Sequence, residues 1–258
     1  MRFWKISLVV VGTVIILVAI VAVFILRPIA ENDDVPQFIQ ADFIDLDRIY
    51  SISKFRSGSG HDFSGNGEQC RSMKHYFNTQ DTREKMMLFE QGRGIPPKPD
   101  GKHDINVYSP VDGKIVDIQT EQMPIGEQVY IRPASNSNYT VRLFHVYLLG
   151  DIKEGSKVSA GQKIGVISQY QNTDIAIMAG GFGSNFVSYF DVMPDSVFAK
   201  YRERGVRSRD ELIIAKEARD ADPLKCNGET FVRENNSNDS RDFIFLSGYM
   251  NPNSILPF

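Results

Sequence analysis

Between Val107 and Ile167 the chain alternates β-branched runs with glycine-bearing turns. VYSPVDGKIVDI and DIKEGSKVSAGQKIGVI bracket a third apolar run, YTVRLFHVYLL. Asp112-Gly113, Glu154-Gly155 and Ala160-Gly161 supply the residues that tight reversals favour. Along Lys114-Ile115-Val116-Asp117-Ile118 apolar and polar side chains alternate, which in an extended chain sends one set to a core and the other to water. The pattern predicts a mainly β domain, a small sandwich or barrel.

A different pattern opens the chain. Ser7 to Leu26, SLVVVGTVIILVAIVAVFIL, carries no charge. As a helix it would span about 30 Å, the thickness of a bilayer's hydrocarbon core. The apolar region of a secretory signal is shorter, about 7 to 15 residues, and ends in a small-x-small site. Pro28-Ile29-Ala30 matches that site only faintly, so an uncleaved single-pass anchor is expected. Arg2 and Lys5 precede the run, whereas Glu31, Asp33 and Asp34 follow soon after Arg27. This asymmetry predicts a cytoplasmic N-terminus and a main domain outside the cytoplasm, in the periplasm or at the cell surface.

The expected organisation is then a cytoplasmic tip and anchor over 1–27 and a linker with a lead-in segment over 28–52. A β domain follows over 53–179, with an insertion at 64–103, and a helical and strand extension packs on it over 180–258. Ser57 to Gly67 is too rich in Gly and Ser for more than a brief strand at His61–Phe63. Helices are predicted at Arg83–Glu90, Pro194–Arg204 and Ser208–Arg219. Ser208 and Glu211 have capping-box spacing at the start of the last. A strand is expected at Phe243–Leu246.

Length and charge narrow the function. The 258 residues suffice for one or two domains with a core, and the formal charge is −3 with no dense Lys/Arg stripe, which argues against nucleic-acid binding. Without the cations of the N-terminal region, Arg2, Lys5 and Arg27, the charge becomes −6. The two cysteines, Cys70 and Cys226, would lie in a compartment where disulfides persist, and a bond between them is expected, with two buried thiols as the alternative.

The order VYSPVDGKIV, RLFHVYL, EGSKVSAGQKIGVI resembles the core of the M23/LytM zinc peptidases, whose duplicated hybrid motif also builds lipoyl and biotinyl carriers. The resemblance covers roughly Phe55 to Ala179. It implies a LytM-like β-sandwich, or barrel-sandwich hybrid, with short added helices. It also implies one zinc held by a His and an Asp four residues apart on an early strand and by a His of a late H-x-H strand. Three protein donors leave the open position a catalytic zinc needs.

Placed on that pattern, Asp62 takes the Asp position and Gly58 stands where the first His should be. Asp174 and Ala176 replace the two histidines of H-x-H. His145, in Leu143-Phe144-His145, matches the further His that acts without ligating metal. The resemblance therefore implies a degenerate site, a groove formed by His61, Asp62, His145, Asp174 and Arg56, with no cofactor expected. The leading expectation is a non-catalytic, membrane-anchored module that binds cell-envelope peptide or peptidoglycan, or regulates a partner hydrolase. The alternative is an active zinc metallopeptidase whose rearranged metal site uses Asp62 and His61, with His75 or Asp174, and His145 as its catalytic residue. A second alternative is a periplasmic adaptor of an export system. Its usual helical hairpin has no room between Ile118 and Tyr139.

Overall fold

The computed structural model describes residues 35–65, 67–79, 98–121, 125–180, 185–232 and 241–248. The predicted anchor and the predicted helix at Arg83–Glu90 lie outside them. Among the described residues no helix is long and apolar enough to cross a membrane.

The protein is mainly β and its sheet pairing is antiparallel throughout. The strands are β1 (Ser51–Ser53), β2 (His75–Asn78), β3 (Ile105–Tyr108), β4 (Gly113–Thr120), β5 (Glu127–Pro133), β6 (Tyr139–Leu148), β7 (Lys157–Val158), β8 (Lys163–Ile167), β9 (Thr173–Ala179) and β10 (Asn185–Val187). Two short helices follow, α1 (Asp195–Arg202) and α2 (Lys216–Ala221), then β11 (Cys226–Asn227), β12 (Thr230–Phe231) and β13 (Phe243–Phe245). The main sheet runs β13-β1-β2-β9-β6-β5-β4-β7, with β10 also on β9, and β8 joining β3 to the far end of β6.

The two faces of this sheet have different fates because side chains alternate along each strand. Phe77, Ile175, Ile177, Val141, Leu143, Val129 and Ile131 point to one side and are fully buried. Residues 38–49, expected to be a lead-in, close that side and bury Phe38, Ile39, Phe43, Ile44, Leu46 and Ile49. Phe43 meets Phe77 edge-on at 4.7 Å between centroids, within the favoured range for aromatic pairs. The opposite face carries Tyr76, Asp174, Ala176, Arg142 and Tyr130, all tied to one another by strand register.

Three expectations need adjusting. The segment read as an insertion contributes β2, which lies between β1 and β9 in the main sheet. The helix over Ser208–Arg219 is instead a 3-10 turn, Arg209–Leu212, followed by α2. Ile213 is extended there and bridges Phe55, whose carbonyl accepts from the Ile214 N–H at 3.0 Å. The capping box does not form either: Glu211 accepts from the Arg207 N–H at 2.8 Å and from Arg207 Nε at 2.5 Å, and Ser208 makes no side-chain cap.

Cys70 and Cys226 are bonded, with Cα atoms 5.7 Å apart across 156 residues of chain. The bond joins the 61–73 loop region to the β11–β12 hairpin, and the Asp62 N–H donates to Glu229 O of the same hairpin at 2.6 Å. Closing so long a loop removes much of the unfolded chain's freedom. Cys70→Ser is therefore expected to lower stability by about 2–5 kcal/mol. Denaturant unfolding with and without reductant measures this, and a midpoint indifferent to both would exclude it.

Candidate functional site

The polar face of the sheet is built around Asp174. In β9, Ile175 and Ile177 turn to the core, which sends Asp174 and Ala176 to the other side. Strand register sets Tyr76 of β2 opposite Asp174, and Arg142 of β6 opposite Ala176. The residue two before Tyr76, on the same face, is Lys74. Its ammonium donates to Asp174 Oδ2 at 2.8 Å, and the two side chains are only 3% and 1% exposed. Asp174 Oδ1 is buried with no hydrogen-bond partner.

Two histidines complete the cluster. His145 Nε2 lies 3.5 Å from Asp174 Oδ2, and its Nδ1 lies 2.9 Å from Glu121 Oε2. His61 Nε2 is 3.4 Å from Lys74 Nζ, while its Nδ1 is 2.9 Å from the Asp62 carbonyl. A carbonyl only accepts and an ammonium only donates, so His61 carries its proton on Nδ1. Aromatic rings roof the ammonium: Lys74 Nζ is 4.2 Å from the Phe144 centroid, 4.7 Å from Tyr76 and 5.0 Å from Phe63. Each ring face offers the cation some of the attraction lost with water.

The backbone is shaped to hold these groups. His145 has φ 63, a left-handed conformation unusual for a residue with a Cβ. It sits where β6 leaves β9 and turns to pair with β8. Its N–H donates to Glu121 Oε1 at 3.2 Å and its carbonyl accepts from Gln171 Nε2 at 2.7 Å. On the covering loop, Gly60 has φ 69, and a Cβ there would lie 2.0 Å from the Tyr76 hydroxyl. Only glycine lets the loop close over β2 at this point.

The charges set one another's protonation. Burial would raise the Asp174 carboxyl, but the Lys74 charge and then His145 overcome it and hold it well below the usual carboxylate range. Burial would lower Lys74 and His145, and Asp174 reverses both: Lys74 is raised, and His145, helped by Glu121, reaches about 9. Asp174 is thus a carboxylate between an ammonium and an imidazolium.

The residues picked from sequence are distributed unevenly. His61, His145 and Asp174 meet here. Asp62 does not turn its carboxylate to them: Oδ1 accepts from the Arg71 N–H at 3.1 Å and Oδ2 from the Cys70 N–H at 3.3 Å. Arg56 is engaged by Glu68 through two bonds, Nε to Oε2 at 2.7 Å and Nη2 to Oε1 at 3.0 Å. Gly58 faces Leu224 and Asp242. His75 lies on the core face, where Nδ1–H donates to Ser53 O at 2.8 Å and Nε2 accepts from the Ser188 hydroxyl at 2.9 Å. Its burial lowers it to about 4, so it is neutral. It cannot join a metal site with Asp174.

Lys74, Glu121, Arg142 and the rings of Phe63, Tyr76 and Phe144 also belong to the site, and no local motif marks them as site residues. The strand beside Asp174 is β2 and not the Gly58–Asp62 segment. In β2's register, two residues four apart on the site face are Lys74 and Asn78, neither of them a His or Asp. Among the described residues no three His, Cys, Asp or Glu side chains converge on a point that could hold a metal. The residues do not fit the zinc that the resemblance implies, since an ion beside Asp174 would face an ammonium and an imidazolium.

No family model matches the chain, and no curated protein matches it. Its fold is similar to parts of solved structures. One is lysostaphin, known from Staphylococcus simulans, at 18% identity over 33% of this chain and 39% of that one, with a TM-score of 0.27. Another is Helicobacter pylori Csd3, at 15% identity over 82% and 46%, with a TM-score of 0.39. A third is the SpoIIQ–SpoIIIAH pore-forming complex, at 14% identity over 64% and 97%, with a TM-score of 0.38. The chain spans less than half the length of the lysostaphin and Csd3 chains.

Two predictions follow from the charges. The combined contribution of His75 and His145 to folding stability should be greatest near pH 6.5, the ordinary histidine value. His75 stabilises the fold while neutral, so its contribution is present above that value and is lost as pH falls toward about 4. His145 stabilises it while charged, so its contribution is full below that value and is lost as pH rises toward about 9. Each limb is worth up to about 3 kcal/mol. Urea unfolding across the range checks this, and His145→Gln should flatten the alkaline limb alone. Separately, Asp174→Ala should destabilise by about 3–5 kcal/mol because it strands a buried ammonium, whereas Asp174→Leu combined with Lys74→Met should recover most of the loss. Additive losses in the double variant would exclude a coupled pair.

Proposed function

We propose that this chain is a LytM-like binding module of the cell envelope that does not hydrolyse what it binds. Segment 7–26 anchors it in the membrane with the N-terminus in the cytoplasm and the β domain outside. Its ligand is an envelope peptide or peptidoglycan strand, or it controls a partner hydrolase by presenting this groove. The reading rests on the degenerate pattern around His145 and Asp174.

The observation that carries it is the Lys74–Asp174 pair. Hydrolysis of an amide by this kind of site requires a metal to activate water and to stabilise the charge developing on the carbonyl oxygen. Here the one carboxylate at the centre of the face is already neutralised by an ammonium at 2.8 Å. His145 is held as an imidazolium between two carboxylates, Asp174 and Glu121, and so cannot accept a proton near neutral pH. A general base must be unprotonated to start the reaction. What remains is a polar and aromatic face suited to recognition.

The test uses the purified full chain. Elemental analysis is expected to find zinc well below one equivalent, and incubation with peptidoglycan is expected to release no fragments that a chelator suppresses. Co-sedimentation should still retain the protein on peptidoglycan or on a partner hydrolase. One equivalent of zinc, lost on chelation together with cleavage, would overturn the reading.

A further inference from the structure

The row of side chains across Ala176 holds a second cation whose surroundings differ from those of Lys74. Arg142 stands directly opposite Ala176 on β6, and Tyr130 stands opposite Arg142 on β5. The guanidinium is flanked by three rings, with Cζ 4.5 Å from the Phe144 centroid, 4.9 Å from Tyr130 and 5.4 Å from Phe63. Phe144 and Phe63 are the same rings that roof Lys74. Lys74 has Asp174 at 2.8 Å, whereas no carboxylate among the described residues forms an ion pair with Arg142. Its hydrogen-bond partner is neutral, Gln128 Oε1, which accepts from Nη2. Nε is buried without a partner.

A partly buried guanidinium without a counter-charge is unfavourable, and proteins ordinarily offset it with a carboxylate or phosphate. Of the carboxylates whose charge reaches Arg142, Asp174 and Glu121 are engaged with Lys74 and His145, and Asp117 accepts from Gln119 Nε2 at 2.7 Å. Gln128 and the three rings flank the fork, and Arg142 itself is only partly buried. Burial lowers Arg142 from its usual value, outweighing the attraction of Tyr130, Glu121, Asp174 and Asp117, which would raise it.

We infer that Arg142 is the recognition site for a carboxylate of the ligand, with the partly exposed rings of Phe63 and Tyr130 as an apolar platform for the group that bears it. This deepens the proposed binding function, on which it rests, by naming the ligand chemistry: an acid, as at the free C-terminus of a short peptide. Arginine binds a carboxylate through two parallel N–H bonds, whereas an amide can accept at only one oxygen and carries no charge.

The experiment titrates the full chain with acetyl-alanyl-alanine as the free acid and as its amide, by calorimetry or NMR. The free acid should bind at least about tenfold more tightly than the amide, the difference expected for a charge-assisted pair. Arg142→Gln should bring the acid down to the level of the amide. Arg142→Lys should fall between, because it keeps the charge and loses the fork. Competition by acetate assigns recognition to the bare carboxylate, and its absence assigns it to a carboxylate carried on a peptide; either supports the site. Failure of the acid to bind, equal affinity for acid and amide, or wild-type affinity in a folded Arg142→Gln would overturn it. If Arg142→Gln does not fold, the acid–amide comparison on the native chain decides alone. Equal affinity without hydrolysis sinks this inference and leaves the binding function standing. Chelator-sensitive cleavage of the peptide with the acid preference intact sinks the non-hydrolytic reading instead.

Discussion

The buried pair between Lys74 and Asp174 is the constraint around which this face of the protein is organised. Two charges this deeply removed from water are each costly, and only close contact with a good partner offsets the loss. The 2.8 Å contact supplies that, but only while β2 and β9 keep their register and the loop carrying His61 and Phe63 stays closed over the ammonium. The loop in turn is held by backbone bonds between Phe63 and Arg71 and Met73, by the Asp62 carboxylate on two backbone amides, and by the disulfide behind it. Loop, strand pair and hairpin therefore stabilise one another through one ion pair.

His75 and His145 illustrate how strongly the two faces of one sheet differ. Both begin from the same intrinsic basicity. On the core face His75 meets a carbonyl and a hydroxyl, and burial drives it down to about 4. On the polar face His145 is partly buried, yet two carboxylates hold its proton and drive it up to about 9. The difference lies in the neighbours, which strand alternation and pairing select.

The bend at His145 links the site to the rest of the fold. β6 serves two strand partners in succession, and the left-handed residue between them lets it change direction. Gly126 packs against this backbone so closely that a Cβ would lie 2.7 Å from the His145 carbonyl carbon. Strain of this kind persists where surrounding contacts over-determine it, as Glu121 and Gln171 do here.

The sequence by itself determined the β class, the turns and the alternation of faces, because these follow from local periodicity and from the few residues that reversals accept. The run around His145 was legible for the same reason. The partners of Asp174 were not. Lys74 lies 100 residues away, and nothing in the local pattern of RSMKHYFN announces that this stretch is a strand beside β9. The family resemblance implied a ligand at Asp62, whose carboxylate the folded loop instead engages with its own backbone amides. The helix predicted across Ser208–Arg219 yielded to a bridge with Phe55, again a distant residue. Strand pairing is decided by the packing of the whole chain, in which the register that buries Ile175 and Phe77 on one side leaves Lys74, Asp174 and Arg142 together on the other.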